Sequence, residues 1–446
     1  MNELLSQIGS VINVIMGWPI IFFVIGISII VTLALGFIQL RYFFAAWKYT
    51  FTPSASEGKS DMSPFQAFIN TLNVSIGNGS LAGMATAIYS GGPGAALWII
   101  IITFLLMAVR YSEVYLSTHY AEYAPKNTKI GGPMLYLKEV KGGAILSWLY
   151  AAFCVFFGLI AGSAMQANSI SLSMKTAWQI PLLITAAVLT AFVFYAIIGG
   201  AQRIVKFSEA IVPLKVGLFF ISAVIILVYH YQSIIPALKL IVSSGLSLKA
   251  FGGGVLGFTI QQAMRYGILR SINATESGLG TAAILFGATG SKHPVRDGIM
   301  AMASTLVSAF VCFLVALCII ASGVWNSGET STALTIAAYN TVFGSIGGWM
   351  VALLSIAFGV GVLVSYAYIT KAAWDTITKN RFSYLFIMVY CACAFFGAYT
   401  SKVTSLWAAV DLSLACMVSI NLIGILFLLP QLRRGLQSFK NITENQ

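Results

Sequence analysis

Long apolar stretches recur along this chain, each long enough to cross a lipid bilayer as a helix, and that recurrence leaves few folds open. A membrane helix needs about 20 mostly apolar residues. By that measure eleven stretches qualify, at roughly residues 19–40, 65–90, 94–118, 147–173, 180–200, 208–231, 251–290, 298–323, 346–370, 383–399 and 405–430. A β-barrel is excluded, because the runs are too long and do not alternate. Only 9% of the 446 residues are charged, against roughly 25% in a soluble domain, so most of the surface is expected to meet lipid. The reading is an all-α integral membrane protein of eleven transmembrane helices over residues 1–430, with a tail at 431–446.

The basic residues orient these spans. With the N-terminus outside, the inside segments carry seventeen Lys and Arg, from Arg41, Lys48 and Lys59 through to Arg433, Arg434 and Lys440. The outside segments carry four: Lys175, Lys239, Lys249 and Lys402. Positive charge collects on the cytoplasmic side, so the N-terminus is expected outside and the tail cytoplasmic. The net charge of +12 is therefore a topology signal, not a nucleic-acid footprint, since no basic patch is interleaved with aromatics. No Lys or Arg occurs in the first 40 residues, so the positive start of a secretory signal is missing. The six cysteines all lie in apolar runs and form no CxxC pair, and the three histidines are far apart. Neither pattern suggests a metal centre or a nucleophile–base pair. Trp47, Trp98, Trp148, Trp325 and Trp349 sit near span ends, where interface anchors belong.

With the first span set aside as an extra N-terminal helix, ten remain, and they divide into residues 65–231 and 251–430. Each half has five spans, an odd number, so the second half must enter from the opposite face. That is the arithmetic of a 5+5 inverted repeat. The first span of each half is interrupted. Asn73-Val74-Ser75-Ile76-Gly77-Asn78-Gly79-Ser80 lies near the expected midplane, and Gly267 to Gly280 reads GILRSINATESGLG. A break frees backbone N–H groups at one half-helix start and carbonyls at the other half-helix end. The first can hold a carboxylate and the second a cation, so a zwitterionic amino acid with a cation fits both.

At this point the residues resemble a known family. Asn78 to Tyr115 reads NGSLAGMATAIYSGGPGAALWIIIITFLLMAVRYSEVY, similar to the signature of the alanine or glycine:cation symporter family. Further likenesses are Gly131-Gly132-Pro133-Met134 with Tyr136, Gln166-Ala167-Asn168-Ser169, Gly199-Gly200 with Arg203, Glu276 with Gly278-Leu279-Gly280, His293-Pro294-Val295, Asp411 and Asn421. The resemblance runs from about residue 60 to 430. It implies a leucine-transporter-like fold in a bacterial plasma (inner) membrane. It also implies secondary uptake of a small neutral amino acid of the alanine and glycine class, driven by sodium. It implies no cofactor beyond a coupling sodium ion or proton, and no obligate protein partner.

The residues at the expected site depart from the family. The family's GTGN is Gly77-Asn78-Gly79-Ser80 here, its aromatic within the second break is Asn273, and Tyr366 takes a tryptophan's place. The expected substrate residues are Ser75, Asn78, Gly79, Gln166, Asn273 and Tyr366, and their added polarity suggests a substrate more polar or larger than alanine. The cation site would be Gly77, Gly361 and Val362, but two hydroxyl ligands are lost at the last two positions. Lys215 lies inside the sixth span, read as about eight residues, or ~12 Å, from its inner end. It either snorkels to that surface or stands in for sodium, its protonation coupling transport to the proton gradient. Arg270, Glu276 and Asp411 are gating or structural charges. Arg110 and Glu113 read as a structural i,i+3 pair near the inner edge. A channel would show rings of charge, an enzyme a catalytic constellation and a receptor a soluble domain. No such pattern is visible, and the longest loop between spans is about 28 residues.

Overall fold

A computed structural model describes residues 17–52, 60–122, 131–246, 260–400 and 404–444. Lys59, Lys126, Lys129, Lys249, Lys402 and the start of the span expected at 251 lie outside the described residues. Every regular element described is helical. In chain order they are α1 (Trp18–Ala34), α2 (Phe43–Phe51), α3 (Pro64–Ser75), α4 (Met84–Gly91), α5 (Ala95–Glu122), α6 (Gly143–Phe157), α7 (Met165–Trp178), α8 (Leu182–Ile198) and α9 (Gly200–Tyr229). There follow α10 (Tyr231–Leu246), α11 (Ile260–Thr275), α12 (Thr281–Gly287), α13 (Pro294–Ala321), α14 (Ser331–Phe343), α15 (Ile346–Thr378), α16 (Ser383–Tyr399), α17 (Thr404–Phe427) and α18 (Leu429–Glu444). Wide π-type turns at Gly79–Gly83 lead into α4, and others at Gly158–Ala164 join α6 to α7.

Six helical segments are long and apolar enough to cross a membrane, and α1, α8 and α16 are shorter apolar helices. Their outer faces carry exposed Phe22, Val188, Ile221, Val228, Met388 and Phe396, a surface suited to hydrocarbon rather than water. The inner faces meet in two cores, a large one in which α5 and α13 are the most extensively packed pair and a smaller one among α7, α8, α15 and α16. This is a multi-pass membrane protein.

Three boundaries differ from the sequence reading. The sixth span starts at Gly200 rather than near 208, so Lys215 stands 15 residues into α9, ~22 Å along its axis and not near its end. The stretches between spans hold further helices, α10 and α14, and the tail is itself helical as α18. Each is too short or too polar to register as a span.

Both interrupted helices are present. α3 starts on a capping box, with Ser63 and Gln66 each bonding the other's backbone N–H and Pro64 at the first turn. It ends at Ser75 because Ile76, at φ −94° and ψ 80°, leaves the helical region. The second interruption is narrower than expected. Gly267 to Thr275 is regular helix, and the chain unwinds only from Glu276 to Gly280. There Glu276, Gly278 and Gly280 take φ values of +53°, +88° and +83°. Gly267 serves packing instead: a Cβ there would come 2.5 Å from Ala95 O and 2.7 Å from Trp98 Cβ. α3 packs on α12 while α4 packs on α11, so the two broken helices lie side by side and antiparallel.

Candidate functional site

Both breaks open onto one cavity of about 460 Å³. The first break contributes Ser75, Gly77, Asn78 and Gly79, α11 contributes Arg270 and Asn273, and the second break contributes Glu276. Gln166 on α7, Val362 and Tyr366 on α15, and Asp411 on α17 also line it. Phe157 and Met165 supply an apolar wall that the sequence reading did not single out. The cavity extends to Thr176 and Thr330, both exposed. Of the expected site residues, only Lys215 and Gly361 are set back from it.

Several lining groups have no partner. Asn78 Nδ2, Gln166 Oε1 and Arg270 Nε are buried without a hydrogen bond. A buried polar atom left unpaired costs about 1–3 kcal/mol, so these atoms mark a surface built for a polar guest. Asn78 starts the π-type turn with no side chain capping its N–H groups. Gly77 lets α15 approach, since a Cβ there would come 2.7 Å from Val362 Cγ2.

Arg270 ties α11 to the first break, donating from Nη2 to Gly79 O. Gly79 and Gly83 leave room for its guanidinium, and a Cβ on Gly79 would come 2.9 Å from Nη2. Glu276 is held from two sides: Tyr366 donates its hydroxyl to Oε1 at 2.6 Å, and Thr281 donates to Oε2 at 2.8 Å. Tyr366 fits because Gly162 has no side chain, as a Cβ there would come 2.5 Å from Tyr366 Cγ. Ser75 is tied to the neighbouring α13, its hydroxyl 2.6 Å from that of Ser308. Asp411 is half-buried in the cavity wall.

Lys215 does not snorkel. Its side chain is fully buried, and Nζ donates to Asn73 O at 3.0 Å and Ile76 O at 2.7 Å, the carbonyls where α3 unwinds. The Phe358 ring lies 5.6 Å away. A Cβ on Gly361 would come 3.1 Å from Nζ. Around it Asn73 Nδ2 donates to Gly361 O at 3.0 Å and Ser365 Oγ at 2.9 Å, and the Ser208 and Ser365 hydroxyls lie 3.0 Å apart.

Arg110 and Glu113 are also placed differently from the expectation of an edge pair. Both are fully buried beneath the second break, joined at 2.7 Å. Helical spacing revealed the pair, but not that its partners come from α11, the unwound link after it, α13 and α17. On the far side of the Lys215 network is a second cavity of about 380 Å³, lined by Asp61, Tyr368, Lys371 and Asp375. There Lys371 pairs with Asp375 at 2.5 Å, and Tyr368 donates to Asp61 Oδ2 at 3.2 Å.

Comparison with known proteins agrees with this architecture. The family model described as the sodium:alanine symporter family matches residues 1–446. The sodium/alanine symporter AgcS of Methanococcus maripaludis is 29% identical, covering 100% of this chain and 99% of its own length. The probable sodium/glutamine symporter GlnT of Bacillus subtilis is 29% identical over 96% of this chain and 89% of its own. A sodium/proton-dependent alanine carrier protein of Bacillus sp. (strain PS3) is 31% identical over 86% of this chain and 90% of its own.

Proposed function

Because the chain belongs to the sodium:alanine symporter family, a family of transporters rather than enzymes, we propose that it imports a small neutral amino acid by cation-coupled symport. The observation that carries this is the shared cavity, where two antiparallel broken helices meet and three buried polar atoms lack partners. The substrate carboxylate meets the uncapped N–H groups at Asn78 and Gly79, and its ammonium meets Gln166 Oε1. Its side chain faces Asn273, Tyr366 and the Phe157 wall. Asn78 and Asn273 favour a substrate more polar than alanine, since an apolar ligand would leave their amides unpaired. The name of the GlnT relative is in keeping with that preference.

In this reading each broken helix is one crossing. Added to the six long and three short apolar segments, they make eleven. α1 is the extra helix, α3–α9 the first repeat and α11–α17 the second, and α18 is a cytoplasmic tail of a bacterial inner-membrane protein. Uptake by proteoliposomes, with a panel of labelled amino acids under separate sodium and proton gradients, tests the function. Accumulation of none of them under either gradient rules it out.

Lys215 favours a second reading of the coupling ion. An unwound helix end presents carbonyls that would hold a cation, and here an ammonium already holds two of them. The hydroxyl ligands expected from α15 are Gly361 and Val362. Among the described residues no carboxylate pairs with Lys215, so a proton gained or lost at Nζ changes the charge facing those two carbonyls by one. Protonation from outside and release inside then replace sodium. Uptake that ignores sodium, follows the proton gradient and is lost in Lys215→Met is expected. Full dependence on sodium in the unaltered protein overturns this reading while leaving the transport function intact.

A further inference from the structure

The two breaks are completed differently. At the first, Lys215 occupies the carbonyl end, while no side chain caps the amide end at Asn78, which faces the cavity. At the second, both ends are satisfied from within the protein by one ion pair on α5. Glu113 Oε2 accepts from Gly278 N and Gly280 N, each at 3.1 Å, and from Asn421 Nδ2 at 3.2 Å. Glu113 Oε1 accepts from Arg110 Nη1 at 2.7 Å. Arg110 Nη2 donates to Thr275 O, the last carbonyl of α11, and its Nε donates to Thr305 Oγ1 at 3.2 Å. Asn421 Nδ2 also donates to Gly278 O at 2.8 Å, and the Tyr150 hydroxyl donates to Leu279 O at 2.5 Å.

A carboxylate at the freed amides and a guanidinium at the freed carbonyl are what an unwound segment needs in a dry interior. A lone buried charge would be strongly destabilising, but this pair and its hydrogen bonds satisfy one another. Between these two anchor points stands Glu276, whose carboxylate lines the cavity against Tyr366.

We propose that Arg110 and Glu113 are positioning residues that hold the second break unwound whether or not the cavity is occupied. They make Asn273 and Glu276 a fixed wall, against which the open first break closes on substrate. This deepens the transport reading and rests on it for its functional arm only.

Amide hydrogen exchange on the full chain in nanodiscs, with and without L-alanine or L-glutamine, reads the structural arm. Slow exchange at residues 277–280, unchanged by either amino acid, is expected, with ligand-sensitive exchange confined to residues 76–80. In Glu113→Gln and Arg110→Met, exchange at 277–280 quickens, and the KM for uptake rises roughly tenfold or more in protein that still inserts. Arg110→Lys, which keeps the charge but not the forked donors, recovers part of that loss. The double variant Arg110→Met/Glu113→Met remains impaired, because both ends of the break are then uncapped. Should the double variant regain the original exchange and KM, the pair only neutralises its own charge and the proposal fails. It also fails if residues 277–280 change exchange on substrate binding in the unaltered protein. If the charge variants do not insert, Thr305→Val keeps the test, with Ser277→Ala, which removes the contact between the Ser277 and Thr305 hydroxyls alone, run beside it as control; Thr305→Val removes the acceptor of Arg110 Nε as well. It quickens exchange at 277–280 if positioning is right and leaves it unchanged if not. A protein that moves no amino acid but shows these exchange patterns would lose its assigned function and keep this inference.

Discussion

Gly361 has no side chain, and the space beside it is taken by Asn73 Oδ1 and by the Lys215 ammonium, 2.2 Å and 3.1 Å from where a Cβ would be. Lys215 and Gly361 are complementary: a long cation from α9 and a missing hydroxyl on α15. Restoring the hydroxyl alone overpacks the site. Gly361→Ser is expected to cost about 1–3 kcal/mol and to lower the thermal midpoint of the purified protein. Removing the lysine as well opens space into which the Asn73 side chain can yield, and the outcome changes. In Lys215→Ala/Gly361→Ser the carbonyls of Asn73 and Ile76 are freed while an oxygen ligand returns, a donor set suited to a hard cation. Uptake by this double variant should acquire sodium dependence. Uptake that stays inactive in sodium while the protein remains folded would count against the substitution of one cation for the other. The oddity of Lys215 was legible in the sequence, because an intramembrane lysine is costly. Its direction was not: the apolar run gave no sign whether the side chain ran along the helix or across to another. The same blindness hid the purpose of Arg110 and Glu113. Spacing showed that they could touch each other but not that Thr275, Gly278 and Gly280 lay above them.

Elements broke where backbone chemistry required it, and composition alone could not separate a glycine that unwinds a helix from one that packs it. Gly267 and Gly278 fall within one polar, glycine-rich stretch. Gly267 lies in regular helix and lets α5 approach, whereas Gly278 sits at φ +88° with no atom nearer than 3.6 Å to an added Cβ. Alanine should act differently at the two positions. Gly278→Ala meets no clash and is expected to cost roughly 1–2 kcal/mol from left-handed strain. Gly267→Ala drives a methyl into Ala95 O and Trp98 Cβ, so α11 must shift off α5. Thermal unfolding followed by exchange at α11 separates the cases. The first variant loosens residues 276–280 alone, and the second loosens the whole of α11 with its contact to α5. Equal, delocalised effects would contradict the assignment. The first break was easier to place from sequence, since Gly77, Asn78 and Gly79 crowd into three positions. The short helices α10, α14 and α18 escaped notice because a ruler of about 20 apolar residues has no place for them.

At the scale of the molecule, hydropathy carries the all-helical, multi-pass character well, because it describes what each segment's surroundings must be. It says nothing about which side of the bilayer the cavity faces. That follows from the lining. The larger cavity runs from the breaks to exposed Thr176 and Thr330, in segments assigned to the outside by the scarcity of Lys and Arg. The smaller lies on the opposite side, beside Lys371 and Asp375, and the hydrogen-bonded layer of Lys215, Asn73, Ser208 and Ser365 separates them. With the N-terminus outside, as the basic residues suggest, we infer an outward-open arrangement with the inner route closed. A cysteine at Thr86, exposed on the cavity wall, should therefore react with a membrane-impermeant thiol reagent added to right-side-out vesicles. A cysteine at Lys371 should react only from the inner face. The native cysteines are buried or half-buried, so the unaltered protein serves as background. A transported amino acid at saturating concentration should slow labelling at Thr86→Cys several-fold by occupying the cavity, and should quicken it at Lys371→Cys as the inner route opens. Labelling of Thr86→Cys from the inner face alone would reverse the topology. Protection at Thr86 with no change at Lys371 would instead describe a binding protein whose two cavities never exchange access.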